Sequence, residues 1–315
     1  MLNRRHIRLK IMQYLYAAEI SDFEDTKEHN KNLKNSIHSI HYLYLLQISF
    51  LIEILKKARD KYNISQQSFT GNTNNRYSNK KFSENIFLND IASNLKIVEL
   101  LNSNDFVDWE IDYKYVNIFY DKIINSEIYD SYMESKINSF KEDVKFVYDV
   151  FKNLIVTDEK FQTLIEEKNI YWIDDFPLAN TLLLKYLKNS TRDNYEKTFH
   201  FSLFSNKSDE KYADDLANHS LLNFEPNNEL INKYAANWDI ERLAKVDLVI
   251  INLAISELKE FSDIPVKVTL NEYIEISKDY STEKSSFFIN GILDKVVKDL
   301  LKNNSLIKEG RGLRE

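Results

Sequence analysis

Four positive charges crowd the start of this chain: Arg4, Arg5, Arg8 and Lys10 all precede the first acid, Glu19. A guanidinium presents a planar fork of N–H donors that pairs with phosphate oxygens and stacks on bases, and Tyr16 offers a ring to an unstacked nucleotide. The chemistry these types suggest is the binding of single-stranded nucleic acid. The plainer reading of the same residues is a solvated basic helix end. His6 stands among them and adds little charge at neutral pH. The net charge of −7 argues against a basic coat over the whole surface, but local distribution matters more than the sum. Lys302, Lys308, Arg311 and Arg314 face Glu309 and Glu315 at the other end, so both ends are basic and the middle is acidic.

Other chemistries find less support. With four glycines, Gly71, Gly291, Gly310 and Gly312, the chain has neither of the phosphate-cradling patterns that need several. The lack of cysteine removes thiol catalysis, disulfides and thiolate metal sites. His38 and His41, at i and i+3, share a helix face, with no third ligand near them in the sequence to complete a metal site. Asp174 and Asp175 beside Trp172 could be paired carboxylates for acid–base work, but a solvated corner between helices is the simpler reading. No Ser/His/Asp arrangement can be defended. No enzyme activity, cofactor or metal is expected.

The elements that must carry these residues are helical. Glycine and proline are scarce, and long Leu/Ile/Lys/Glu/Asn-rich stretches run unbroken, so an all-α chain is expected. Ile7, Ile11, Tyr14, Leu15 and Ala18 form one apolar stripe on a helix from about residue 4 to 20, with Arg5, Arg8 and Tyr16 projecting from a neighbouring face. A second helix is read over 33–61, then a polar loop to about residue 81. The apolar run after the basic start breaks at Gln13 and ends at Glu19 without a cleavage site, so no export signal is expected. No run reads as a membrane span. Thr269 to Glu272 fits a capping box, and Ser281 an N-cap for the last helix.

Shifting the sequence by 66 residues aligns Asp149 with Asp215, Leu164-Ile165 with Leu230-Ile231, Trp172 with Trp238, Leu182 with Leu248 and Leu187 with Leu253 without a gap. The pattern reads either as a duplicated helical hairpin or as two amphipathic helix pairs that share a period by chance.

The stretch from Trp238 to Leu300 holds L-A-K-V-D, S-D-I-P-V-K-V, N-E-Y-I-E-I-S-K and F-I-N-G-I-L-D-K-V in order. It resembles the core of the NusB family of bacterial transcription antitermination factors, and Arg4-Arg5-His6-Ile7-Arg8 leading into Gln13-Tyr14-Leu15-Tyr16 is similar to the family's basic first helix. The resemblance implies a NusB-like helical bundle enlarged by an insertion. The expected division is an N-terminal pair of helices over 1–62, a polar loop over 63–81, an inserted, partly duplicated region over 82–206, a conserved core over 207–302 and a flexible basic tail over 303–315.

The resemblance also implies a function: non-catalytic binding of boxA-containing leader RNA of ribosomal RNA operons together with the ribosomal protein NusE, with RNA polymerase and other Nus factors engaged indirectly in the cytoplasm. The RNA-binding residues it implies are Arg4, Arg5, His6, Arg8, Tyr16, Lys284, Phe288 and Asn290, with Asp247 facing NusE. Phe288 is equally read as core, and Gly291 as a site of close helix packing. Lys284-Ser285-Ser286-Phe287 departs from the acid, Ser, His, Lys of many members, which bears on RNA preference. A helical protein-binding scaffold and a stand-alone ribosomal RNA-binding protein in ribosome biogenesis are the rival readings.

Overall fold

The computed structural model describes residues 2–21, 26–67, 80–102, 108–204, 206–235 and 244–309. The named elements among them are all helices. The chain runs through α1 (Arg4–Ser21) and α2 (Thr26–Gln67). Then follow α3 (Ile86–Ser93), α4 (Leu95–Asn102), α5 (Trp109–Ile124), α6 (Glu127–Glu134), α7 (Phe140–Val150), α8 (Glu159–Lys168), α9 (Phe176–Asn189) and α10 (Tyr195–Phe199). The last five are α11 (Lys207–Leu222), α12 (Phe224–Tyr234), α13 (Lys245–Glu260), α14 (Val266–Tyr280) and α15 (Glu283–Lys302).

Helix starts follow capping chemistry. Asp108, Ser139, Asp158 and Asn206 each accept a hydrogen bond from a backbone N–H of the first turn, satisfying donors that the helix itself cannot. Two expected caps differ. Pro265 stands at the N-cap of α14, placing Thr269 inside the helix, and Thr282 rather than Ser281 caps α15 by accepting from Ser285 N–H.

The chain divides into two compact units, one of Met1–Ile37 with Ser202–Glu315 and one of His38–Phe201. The boundary therefore falls inside α2, well before residue 82, and most of α2 lies in the second unit. From Leu33 to Gln67, α2 is long and apolar enough to cross a membrane by length and composition, contrary to the reading of its sequence. Two-thirds of the residues in its most apolar window are buried within the protein, as in the core helix of a globular unit. Phe50 of α2 lies stacked against Trp109 and Phe161 and edge-on to Phe119 at the centre of the second unit.

The 66-residue offset reappears in the elements. Moved by 66, α8 falls on 225–234 against the observed Phe224–Tyr234, and α9 on 242–255 against the observed Lys245–Glu260. Burial follows the same register: Ile165 and Ile231, Leu183 and Val249, and Leu187 and Leu253 are all fully buried, and Leu182 and Leu248 are both half-buried. Trp172 is wholly buried, while its counterpart Trp238 lies outside the described residues. Asp175 is buried too, accepting from Ser39 Oγ at 3.4 Å, so the expected solvated corner holds for Asp174 alone.

In the first unit α1 packs on α11 and α13, and α13 on α12, α14 and α15. The end of α15 is closed by a left-handed residue, Asn304 at φ 52°, with Ser305 N–H on Leu300 O at 2.8 Å and Asn304 N–H on Leu301 O at 3.2 Å. Beyond it the chain is tied down: Leu306 is buried and Lys308 Nζ donates to Phe261 O at 2.7 Å. The segment expected as a flexible tail over 303–315 is thus tied down as far as Glu309, whose N–H donates to Ser262 O at 2.9 Å, and Arg311 and Arg314 lie outside the described residues.

Candidate nucleic-acid interface

The apolar stripe of α1 is as its spacing requires, with Ile7, Ile11, Tyr14 and Leu15 buried. Asn3 Oδ1 caps the helix by accepting from His6 N–H at 2.9 Å. The basic residues on this helix meet acids from distant parts of the chain. Arg4 lies 3.4 Å from Asp209 and 3.7 Å from Asp263, with its guanidinium 4.8 Å from the centre of the Tyr212 ring. Arg5 donates to Asp279 Oδ2 at 3.1 Å.

Arg8 differs most from expectation. Its side chain points inward, only 3 % exposed, rather than projecting beside Arg5. Nε and Nη2 form a fork on the two oxygens of Glu257, at 2.7 and 2.9 Å, and Nη1 lies 3.4 Å from Glu272. Glu257 is fully buried and also accepts from the Tyr212 hydroxyl, from Thr269 Oγ1 at 2.8 Å and from the Tyr273 hydroxyl at 3.1 Å. Burial works against both charges, but their mutual hydrogen bonds outweigh it, so the Glu257 carboxyl is held below its usual range and Arg8 is held protonated. A fork so engaged in the interior does not reach a phosphate. Arg8 therefore leaves the set of RNA-facing residues and serves to fasten α1 to α13 and α14.

His6 is half-buried, and burial, followed by nearby positive charge including Arg5, lowers the pKa of its imidazole. Tyr16 has its ring partly in solvent. Lys10, counted in the basic cluster, is buried.

The start of α15 supplies the second half. Lys284 and Asn290 are exposed. Phe288 is 7 % exposed and packs inward with Ile289, Ile292 and Val296. The exposed aromatic is its neighbour Phe287, at 81 %. A single-residue step turns a helix by about 100°, which decides between core and solvent. Gly291 faces open space, with nothing within 4 Å of where a side chain would begin, so close packing is not its role.

Asp247 lies in the first turn of α13 and is 4 % exposed. Its Oδ2 accepts from Ser285 Oγ at 2.8 Å, Ser281 Oγ donates to the same Ser285 oxygen at 2.9 Å, and Oδ1 has no hydrogen-bond partner. Buried carboxylate oxygens are normally satisfied, so the bare Oδ1 is an exception. Arg5 and Lys284 thus belong to one corner: Asp279, which Arg5 holds, lies at the end of α14, immediately before the turn into α15.

His41 packs its ring 5.4 Å from Phe201 and 6.3 Å from Tyr44, and among the described residues no three His, Cys, Asp or Glu side chains are placed to hold a metal ion. Glu241 and Arg242 lie outside the described residues. Sequence reasoning missed the buried amide ladder of the first unit, in which Asn227 Nδ2 donates to Ser256 Oγ at 3.0 Å and Lys259 Nζ to Asn227 Oδ1 at 2.8 Å. Two polar residues amid the apolar run of α13, Asn252 and Ser256, were its signal.

Comparison with known proteins matches the C-terminal part of the chain. The NusB family model matches residues 178–298. The transcription antitermination protein NusB of Salinibacter ruber is 36 % identical over 132 residues, covering 41 % of this chain and 82 % of that protein. The NusB proteins of Natranaerobius thermophilus and Methylacidiphilum infernorum are 46 % and 47 % identical, over 29 % of this chain in each case and 66 % and 60 % of theirs. No solved structure matches. The fraction of the Salinibacter ruber protein that is matched, and the all-helical fold built around the matched segment, establish that the chain belongs to the NusB family.

Proposed function

We propose that this protein is a non-catalytic, RNA-binding transcription antitermination factor that holds boxA-containing leader RNA of ribosomal RNA operons together with the ribosomal protein NusE. Through RNA polymerase and other Nus factors it would keep elongation going past terminators, in the cytoplasm where the transcript is made. The relatives it matches are named as transcription antitermination proteins. The observation that carries the reading is the corner where Arg5, held on Asp279 at the end of α14, stands before the start of α15 with its exposed Lys284 and Phe287. Two cations, an aromatic ring and the free N–H groups of a 20-residue helix provide the chemistry that single-stranded RNA needs.

On this reading the RNA surface is narrower than the run of basic residues in α1, and Arg4, His6, Tyr16 and Asn290 lie at its margin. Asp247 stands at the NusE-facing position. Its carboxylate is out of solvent, so contact with NusE requires the surroundings of Oδ1 to open.

The test is fluorescence anisotropy of a labelled boxA RNA titrated with protein, with and without NusE, against a scrambled RNA. Selective binding that NusE tightens and that Arg5→Ala with Lys284→Ala weakens is expected. Equal binding of the scrambled RNA, or no binding in either condition, would reject the proposal in favour of a protein-binding scaffold.

A further inference from the structure

Between α8 and α9, in the second unit, the chain makes a single 3₁₀ turn, Ile170–Trp172, of which Trp172 is the buried residue. Trp172 is wholly enclosed, while Ile170 and Tyr171 are each 64 % exposed and Ile173, next along, is 46 % exposed. The backbone here is well fastened. Asn169 Oδ1 accepts from Tyr171 N–H at 3.0 Å, Trp172 N–H donates to Asn169 O at 2.9 Å and Asp175 N–H to Trp172 O at 3.1 Å. Large apolar side chains are thus held in water by a turn that the tryptophan anchors.

Ile111, 75 % exposed in the first turn of α5, borders the same surface. Its neighbour Asp112 lies 2.5 Å from Lys168 Nζ at the end of α8, and Lys114, one turn on along the face of Ile111, lies 3.8 Å from Glu167. The start of α5 therefore stands beside the end of α8, from which the 3₁₀ turn leads off.

The anchor does not require its apolar flanks. In the register of the 66-residue offset Trp172 answers to Trp238, while Ile170, Tyr171 and Ile173 answer to Ala236, Asn237 and Asp239. The tryptophan is common to both stretches of sequence, and the flanking apolar residues are particular to the second unit. Exposed apolar side chains gathered in one place mark an interaction surface.

The kind of partner follows from the charges around them. Glu110 on α5, Glu166 and Glu167 at the end of α8, and Asp174 just past Ile173 are exposed. Lys114 and Lys168, the lysines of these segments, already lie against Glu167 and Asp112. The end of α8 adds the negative pole of its helix dipole. Such a border repels phosphate, so neither RNA nor an anionic lipid surface suits it. A second copy of the chain suits it no better, because a two-fold contact pairs a patch with itself and would set acid against acid. Lysines and arginines flanking an apolar face would meet both features at once.

We infer that this surface of the second unit docks a basic amphipathic segment of a partner protein, with Ile111, Ile170 and Tyr171 under its apolar side and the surrounding acids on its cations. The inference does not depend on the RNA-binding reading, which concerns the first unit.

The test uses the full chain and a fluorescein-labelled peptide of Leu-Lys-Lys-Leu-Leu-Lys-Leu written twice, read by anisotropy. The same pattern with Glu for Lys and an all-lysine peptide of equal length are the controls. The Leu/Lys peptide should bind more tightly than either. Ile170→Ala with Tyr171→Ala should weaken it about tenfold, as expected where truncated side chains are anchors of an interface. Ile111→Ser, on another helix, should weaken it as well, so the assignment does not rest on the 3₁₀ turn alone. Glu166→Lys with Asp174→Lys should weaken the Leu/Lys peptide and admit the Leu/Glu peptide. These positions are exposed, and each variant should melt as the parent does. No binding of the Leu/Lys peptide by the parent, equal binding of either control peptide, or binding that Ile170→Ala with Tyr171→Ala leaves within about twofold would each overturn the inference. A parent dimer in analytical ultracentrifugation that the same double variant dissolves would assign the surface to a second copy, and single-stranded RNA binding lost in that variant would assign it to RNA; either result overturns the inference too.

Discussion

The two units of this chain solve the problem of a helical core in opposite ways. In the second, the centre is aromatic: Phe50, Phe119 and Phe161 meet at 5.1 to 5.9 Å, and Trp172 is wholly enclosed. In the first, a fully buried carboxylate sits at the crossing of α1, α11, α13 and α14, closed by Arg8, Tyr212, Thr269 and Tyr273. An aromatic core tolerates small shifts of one helix against another, because dispersion and burial have little direction. A forked ion pair does not, because two N–H···O bonds set both distance and angle. The unit that presents the candidate RNA corner is thus the one whose first helix is pinned by directional bonds.

The comparison can be broken first by mutation. Arg8→Ala strands a buried charge and should cost about 3–5 kcal/mol, read as a lower urea midpoint. Replacing both partners, Arg8→Met with Glu257→Leu, should recover part of that loss, since no uncompensated charge remains. Trp172→Ala should cost a similar ~3–5 kcal/mol through the cavity it leaves, with no second-site charge change to relieve it. An equal response of both sites to charge neutralisation at Glu257 would erase the distinction.

Acid should separate the units next. Glu257 has its pKa lowered: burial would raise it, but the hydrogen bonds and charge of Arg8 more than offset that. Its contribution is therefore present above the ordinary glutamate range and is lost as pH falls through its depressed value. Asp143 in the second unit has its pKa raised by burial, against the opposing hydrogen bonds from Tyr132 and Ile86 N–H. Its contribution has the other sign, being present below the ordinary aspartate range and lost as pH rises through the raised value. Calorimetry between pH 7 and 3 should show the Glu257 contribution to the first unit being lost with acid, while in the second Asp143 opposes the loss that Asp158, its pKa lowered, brings there. Glu257→Gln should flatten the acid dependence of the first.

The smallest expected effect is at the cap of α15. Thr282→Ala removes the side chain that accepts from Ser285 N–H and should cost about 1 kcal/mol. Hydrogen exchange should place the loss in the first turn of α15, the turn that carries Lys284 and leads into Phe287. Loss spread evenly over both units would argue that this turn is not held locally.

How much of this was legible depended on the reach of each interaction. The stripe of α1 and the helices at the 66-residue offset were readable because helical periodicity is local, repeating every 3.6 residues. The fate of the arginines was not. Arg4, Arg5 and Arg8 find acids at Asp209, Asp279 and Glu257, more than two hundred positions away, and nothing in the N-terminal sequence announces them. The choice between Phe287 and Phe288 was hidden for another reason: adjacent residues share composition and motif, and only the rotation of α15 against α13 separates solvent from core. Asp247 followed the same logic, as its burial depends on Ser285 reaching it from another helix.

The most direct test of the account is the salt dependence of boxA RNA affinity for the parent protein and for Arg5→Ala. If Arg5 and Lys284 are the cations that meet phosphate while Arg4 and Arg8 stay on their acids, the log–log slope should be near −1.4, from about −0.7 per phosphate on a single strand, and Arg5→Ala should bring it to about −0.7. A parent slope of about −3, or a slope that Arg5→Ala leaves unchanged, would mean that the RNA is held by other charges and would contradict the placement of the site at this corner.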